Sequence, residues 1–151
     1  MSHAGNTPFW KGVLGGWVLA SIIAMVAQGV VLGPAWDALT ALGFLRGPET
    51  TLLALTGWEA LLLIAIYIQA EFLEKLAPAK RLNYAKQGLQ FGILFSLPFI
   101  SQYFFYNIPG IIAAVTTVGN ALAFVAAAWV FEKIAVPKQF RTYRVARRKR
   151  R

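Results

Sequence analysis

Residues that commonly carry out chemistry are scarce in this 151-residue chain. It has no cysteine and a single histidine, His3, which precedes every apolar run. Without thiolates or paired imidazoles, the sequence offers no site for structural zinc, an iron–sulfur cluster, haem or a thiol nucleophile. Glu59 is the only acid well inside an apolar run. One carboxylate without a partner base makes no catalytic pair. We therefore expect that the protein is not an enzyme and that it binds no metal or cofactor.

Polar residues inside the apolar runs are the best candidates for a site. If these runs are membrane helices, Gln28, Glu59 and Gln102 lie at similar depths, roughly 6 to 11 Å from one membrane face. Asn120 lies near the middle of the last run, and Arg46 is in a loop within reach. Polar groups in lipid are costly unless they are paired. We interpret the five residues as a structural hydrogen-bond network, with a proton, ion or ligand site as the alternative.

Uncharged runs indicate where the chain crosses a membrane, since a spanning helix needs about 20 mostly apolar residues. Residues 87–131 contain no charged residue, and Asn107–Gly110 provides the turn chemistry that divides this stretch in two. The predicted fold class is an all-α integral membrane protein, a bundle of four transmembrane helices within residues 1–137. The four predicted spans are 12–32, 51–73, 88–106 and 109–131.

The distribution of basic residues predicts the topology, because cytoplasmic segments are enriched in Lys and Arg. Four spans place both termini on one side of the membrane. That side holds 14 of the 15 basic residues, and only Arg46 lies on the other. We therefore predict that both termini are cytoplasmic.

The first outer loop, 33–50, is predicted to contain a short interfacial helix. Trp36, Leu39, Leu42 and Phe44 would lie along one side of it, and tryptophan is enriched at membrane interfaces. We interpret this helix as a cap over the bundle, and a substrate lid is the alternative.

Small residues recur every four positions in three of the spans. Residues four apart share a helix face, and small residues let membrane helices approach closely. We interpret the stripes as packing surfaces within the bundle, with docking onto another subunit as the alternative. The stripes are Gly12, Gly16, Ala20 and Ala24; Gly88, Gly92 and Ser96; and Gly119, Ala123 and Ala127.

The tail, 138–151, carries eight positive charges of a chain whose net charge is +9. Basic clusters next to a membrane bind anionic lipids, and these are the favoured partner, ahead of an acidic protein. Nucleic acid is not expected, because no aromatic stacking platform accompanies the charge. The basic residues are Lys138, Arg141, Arg144, Arg147, Arg148, Lys149, Arg150 and Arg151.

Three short motifs resemble those of small four-span bacterial membrane proteins of uncharacterised function: Gln28–Gly33, Arg46–Pro48 and Gln90–Gly92. The resemblance implies the same fold and a bacterial inner membrane, and it implies no activity. We predict a structural or accessory subunit of a larger membrane complex that docks through its small-residue faces. The alternative is a small oligomeric transporter or channel that uses Glu59.

Overall fold

The computed structural model consists of helices in the residues that it describes, 7–41, 51–76, 82–105 and 109–135. The all-α prediction is therefore confirmed for this part of the chain. Helix α1 (Thr7–Met25) continues as a π-helical segment (Val26–Val31). It is followed by α2 (Gly33–Ala41), α3 (Thr51–Leu76), α4 (Tyr84–Phe105) and α5 (Gly110–Ile134).

Among the described residues, three helical stretches are long and apolar enough to cross a membrane: Thr7–Val31, Leu55–Leu76 and Gly110–Ile134. Helix α4 has 22 residues, which corresponds to about 33 Å, so it is long enough. It is less apolar than the others because it carries Lys86, Gln87 and Gln90 near its start. For the part of the chain that the structure describes, length and composition support three membrane helices.

The helices begin and end near the bounds of the predicted runs, except that α4 begins at Tyr84, four residues before the predicted start, and α1 begins earlier still. Helix α1 begins at Thr7, five residues before the predicted start. The reason is Phe9, which is fully buried and meets Tyr67 and Phe131 edge-on. Pro8 is tolerated there because a proline in the first helical turn loses no hydrogen bond.

The π-helical segment at the end of α1 has no counterpart in the sequence prediction. Its last hydrogen bond runs from the Leu32 N–H to the Ala27 carbonyl oxygen, at 3.1 Å. A π turn takes up more residues than an α turn. Side chains in this segment, among them Gln28, are therefore rotated away from the faces that they would occupy in a regular helix.

The four long helices alternate in direction around the bundle. Gly88 and Gly92 of α4 lie against Val125 and Ala121 of α5, so these two helices are antiparallel. Helix α1 is also antiparallel to α5, because Gly16 lies against Ala127 whereas Gln28 bonds to Thr116. Helix α3 runs antiparallel to α1 and also contacts α4 and α5.

Two kinds of seam hold these helices together. Small residues form the seams of α5 with α1 and with α4, and the backbones approach closely there. Large side chains fill the seams of α3, where Trp58 meets Phe95 and Tyr67 meets Phe9. Buried Leu62, Ile66 and Phe124 occupy the centre.

Each long helix also carries exposed apolar residues on its outer face. In a bilayer such residues would contact the hydrocarbon chains of the lipids. A water-soluble domain seldom exposes contiguous apolar patches of this extent. The exposed stripes include Leu14, Val18 and Ile22 on α1; Leu61, Ile64 and Ile68 on α3; Leu89, Ile93 and Leu97 on α4; and Val118, Leu122 and Trp129 on α5.

Candidate functional site in the helix bundle

Gln28 links three elements at the end of the bundle that holds α2. Its amide nitrogen donates to the Thr116 hydroxyl of α5, and its amide oxygen accepts from the Trp36 indole N–H of α2, both at 3.1 Å. Beside this link, Leu32, Leu39 and Ile112 form a small buried cluster. Together the two features fix α2 to the ends of α1 and α5.

Glu59 of α3 is bonded to α1. The hydroxyl of Ser21 donates to Glu59 Oε2 at 2.6 Å. Ser21 is buried and Glu59 is half-buried. Gln28 was predicted to lie beside Glu59, but Gln28 is bonded elsewhere. The π-helical segment accounts for this, because it turns Gln28 towards α5 while Ser21, seven residues earlier, still faces α3.

Asn120 belongs to a third hydrogen-bonded group, between α5 and α4. Its amide nitrogen donates to the Ser96 hydroxyl at 3.1 Å, and that hydroxyl donates in turn to the Gly92 carbonyl oxygen at 2.8 Å. Asn120 and Ser96 are both buried. These bonds fix the register of the closest helix pair in the bundle.

Gln69 of α3 is a buried polar residue that was absent from the predicted cluster. Only 1% of its surface is exposed, and its amide nitrogen donates to the Phe124 carbonyl oxygen of α5 at 3.1 Å. A signal was available in its spacing, because Leu62, Ile66, Gln69 and Leu73 share one helix face. All four are buried.

The described members of the predicted five-residue cluster therefore belong to three separate hydrogen-bonded groups. Each group links two or more different helices. The backbone of Gln102 lies within α4, but its side chain is outside the described part. Arg46, Leu42, Phe44 and the basic residues of 138–151 also lie outside the described residues.

The small-residue stripes meet other helices of the same chain. A methyl group added to Gly92 would come within 2.5 Å of the Ala121 Cα, and one added to Gly88 within 2.6 Å of the Val125 Cα. At Gly12 the nearest atom is Cδ2 of the Phe131 ring, at 2.8 Å. All ten stripe residues are buried. They pack within one chain and are not open to a partner.

An apolar groove of about 490 Å³ lies between the end of α1 and the first half of α5. Its walls are aliphatic, so the groove offers no hydrogen bond to a polar ligand. The side chains that form it include Ile22, Val26, Val31, Ala114, Val118 and Leu122.

The described polar side chains act mainly as links between helices. Among the described residues, no three His, Cys, Asp or Glu residues lie close enough together to hold a metal ion. Comparisons with protein-family models, with curated proteins and with solved structures found no match to this chain.

Proposed function

We propose that the chain is a four-span protein of a bacterial inner membrane, with both termini in the cytoplasm, and that its role is structural. In this proposal it is a non-catalytic accessory subunit of a larger membrane assembly. The observation that carries the proposal is that the interior polar side chains form hydrogen bonds between helices. Gln28, Gln69 and Asn120 each bond to another helix, as groups that set helix register do.

The register of α4 against α5 supports a fourth span. Gly88 and Gly92 are four residues apart and meet Val125 and Ala121, which are also four apart. The two helices therefore run side by side at the same depth. If α5 crosses the bilayer, α4 crosses it too. The exposed Leu89, Ile93 and Leu97 give α4 an apolar outer face despite its lower hydropathy.

The packing at the centre of the bundle favours a structural role over transport through one monomer. Leu62, Ile66 and Phe124 are buried there, and Phe91 and Phe95 pack against them. A conducting path needs polar groups or water along its length. The described interior instead offers small separate hydrogen-bonded groups and large buried apolar side chains.

The partner subunit would meet the lipid-facing side chains, since the stripes are already used within the chain. We propose anionic lipids of the inner leaflet as the second partner, bound by the basic tail through charge attraction. These two contacts would hold the bundle beside a larger protein and fix its inner end at the membrane surface.

Purification of the tagged chain from its native membrane in a mild detergent tests the accessory role. We expect a larger membrane protein to co-purify in fixed stoichiometry and to be identified by mass spectrometry. A Gly92→Leu variant, which forces α4 away from α5, is the matched control and should lose this partner. Recovery of the wild-type chain alone, at the mass of one or a few copies, would contradict the proposal.

A further inference from the structure

Gln90 is an exposed polar residue of α4, and its depth follows from the packing of α4 on α5. Gly92, two residues further along, lies against Ala121 of the antiparallel α5, so Gln90 is level with the residue two positions after Ala121. Glu132, the first charged residue of α5, is about 14 Å away along the helix axis, and Gly110 at the other end is about 20 Å away. The hydrocarbon core of a bilayer is about 30 Å thick. In the proposed membrane placement, Gln90 therefore lies well inside it.

The side of α4 that carries Gln90 is turned away from the helices packed on α4. Gln90 is two residues from both Gly88 and Gly92, which corresponds to a rotation of about 200° around the helix, so it lies opposite the contact with α5. Helix α3 packs on another side of α4, where Phe95 meets Trp58. In the proposed placement the Gln90 amide thus faces the lipid, where no water is present to bond to it.

Gln90 belongs to an exposed row of residues with the spacing of a helix-pairing surface. The row, which we call the α4 seam, consists of Gln90, Leu94, Leu97 and Ser101, and all four residues are exposed. Their separations of four, three and four residues are those with which the contact positions of a left-handed helix pair recur. On the same face, Pro98 has no N–H group, so the carbonyl oxygen of Leu94 lacks the donor that a regular helix would provide. The seam therefore presents polar groups to a neighbouring helix as well as apolar ones.

A second copy of the chain is the partner that matches these groups in depth. Copies that share one orientation in the membrane can pair about a two-fold axis along the membrane normal, which places each seam residue opposite itself. A glutamine amide carries both donors and an acceptor, so two Gln90 side chains can bond to each other, whereas a different helix would need a polar residue at this depth. We propose that two copies of the chain associate in the membrane through the α4 seam, with their Gln90 amides hydrogen-bonded to each other. The inference rests on the proposed membrane placement, but not on the accessory role.

Disulfide cross-linking of the full chain in vesicles of neutral lipid tests this contact. The chain has no cysteine, so Leu94→Cys introduces a single thiol into the seam. Leu122→Cys is the matched control, because Leu122 is exposed on α5 and lies next to Ala121 at a similar depth. With copper phenanthroline as the oxidant, we expect the Leu94→Cys variant to form a covalent dimer several-fold faster than the Leu122→Cys variant.

Energy transfer between donor-labelled and acceptor-labelled copies, followed as lipid is added, measures the affinity of the pair. Gln90→Leu removes the amide and keeps an apolar side chain, and we expect association to weaken about 3- to 30-fold, the range for one interhelical hydrogen bond in a membrane. Leu122→Ala should leave the affinity unchanged. Because the Gln90 side chain is exposed, the Gln90→Leu variant should keep the helix content of the wild-type chain.

Equal cross-linking of the two cysteine variants, or an affinity that Gln90→Leu does not change, would overturn the proposal. An alkaline carbonate wash of the vesicles before oxidation separates these failures from an error in the membrane placement. Release of the chain by the wash would contradict that placement and, with it, the proposal. A dimer formed through the seam by a chain that co-purifies with no larger protein would support the proposal and contradict only the accessory role.

Discussion

Replacement of Gly92 by alanine should weaken the bundle at its closest helix contact. The added methyl carbon would lie 2.5 Å from the Ala121 Cα and 2.7 Å from the Asn120 carbonyl oxygen. Ordinary van der Waals contact begins at 3.4 Å, so the two helices must separate by about 1 Å. No side-chain rotation can relieve the contact, because both atoms belong to the α5 backbone.

The expected loss of stability combines two effects. Overpacking of a tight contact typically costs about 1 to 3 kcal/mol. Separation of the helices also stretches the nearby bond between Asn120 and Ser96, and a bond of this kind contributes about 1 kcal/mol. Alanine regains up to about 1 kcal/mol through its higher helix propensity. We therefore expect a net loss of about 1 to 3 kcal/mol in the free energy of unfolding.

Unfolding of the purified protein in mixed detergent micelles, followed by circular dichroism, measures this loss against two matched glycines. A methyl group added to Gly57 of α3 would meet no described atom of another helix within 4 Å, so Gly57→Ala should leave stability unchanged or raise it slightly. A methyl group added to Gly16 would lie 3.3 Å from Ala127, and Gly16→Ala should give an intermediate loss. Equal stability of the Gly92 and Gly57 variants would refute the packing of α4 on α5.

Two further predictions concern the ends of the bundle. Gln28→Leu should leave buried Thr116 without its donor and release the Trp36 indole. We expect the free energy of unfolding to fall by about 1 to 3 kcal/mol and the fluorescence of Trp36 to change. Thr117→Ala, whose hydroxyl bonds within its own helix, should not do so, and equal effects of the two variants would contradict the proposed link. Deletion of residues 142–151 removes six positive charges, and at about 1 kcal/mol each it should greatly weaken binding to anionic vesicles. Equal binding of the intact chain to neutral and anionic vesicles, or a lack of salt dependence, would refute the role of the tail.

Local patterns in the sequence were enough to predict the helices and the small-residue stripes. Uncharged runs fix helix length, and spacing by four fixes which residues share a face. For this reason the sequence alone places Gly88, Gly92 and Ser96 on one packing surface.

The bonding partners of the polar residues could not be predicted in the same way. Whether Glu59 meets Ser21 or Gln28 depends on where α1 crosses α3 and on the π-helical segment after Met25. Neither feature has a local sequence signal. The spacing of Gln69 with Leu62 and Ile66 indicates a buried face, but its partner has no sequence signal, because it is a backbone carbonyl oxygen, which any residue could supply.

The side of the membrane reached by each end of α4 tests the four-span account most directly. The chain has no cysteine, so single-cysteine variants at exposed Ala85, Gly110, Asp37 and Lys75 can be labelled in intact cells with a membrane-impermeant maleimide. We predict that the cysteines introduced at Gly110 and Asp37 react from outside, while those at Ala85 and Lys75 react only after the membrane is made permeable. Reaction of the Ala85 and Gly110 variants from the same side would show that α4 does not cross the membrane and would contradict the account.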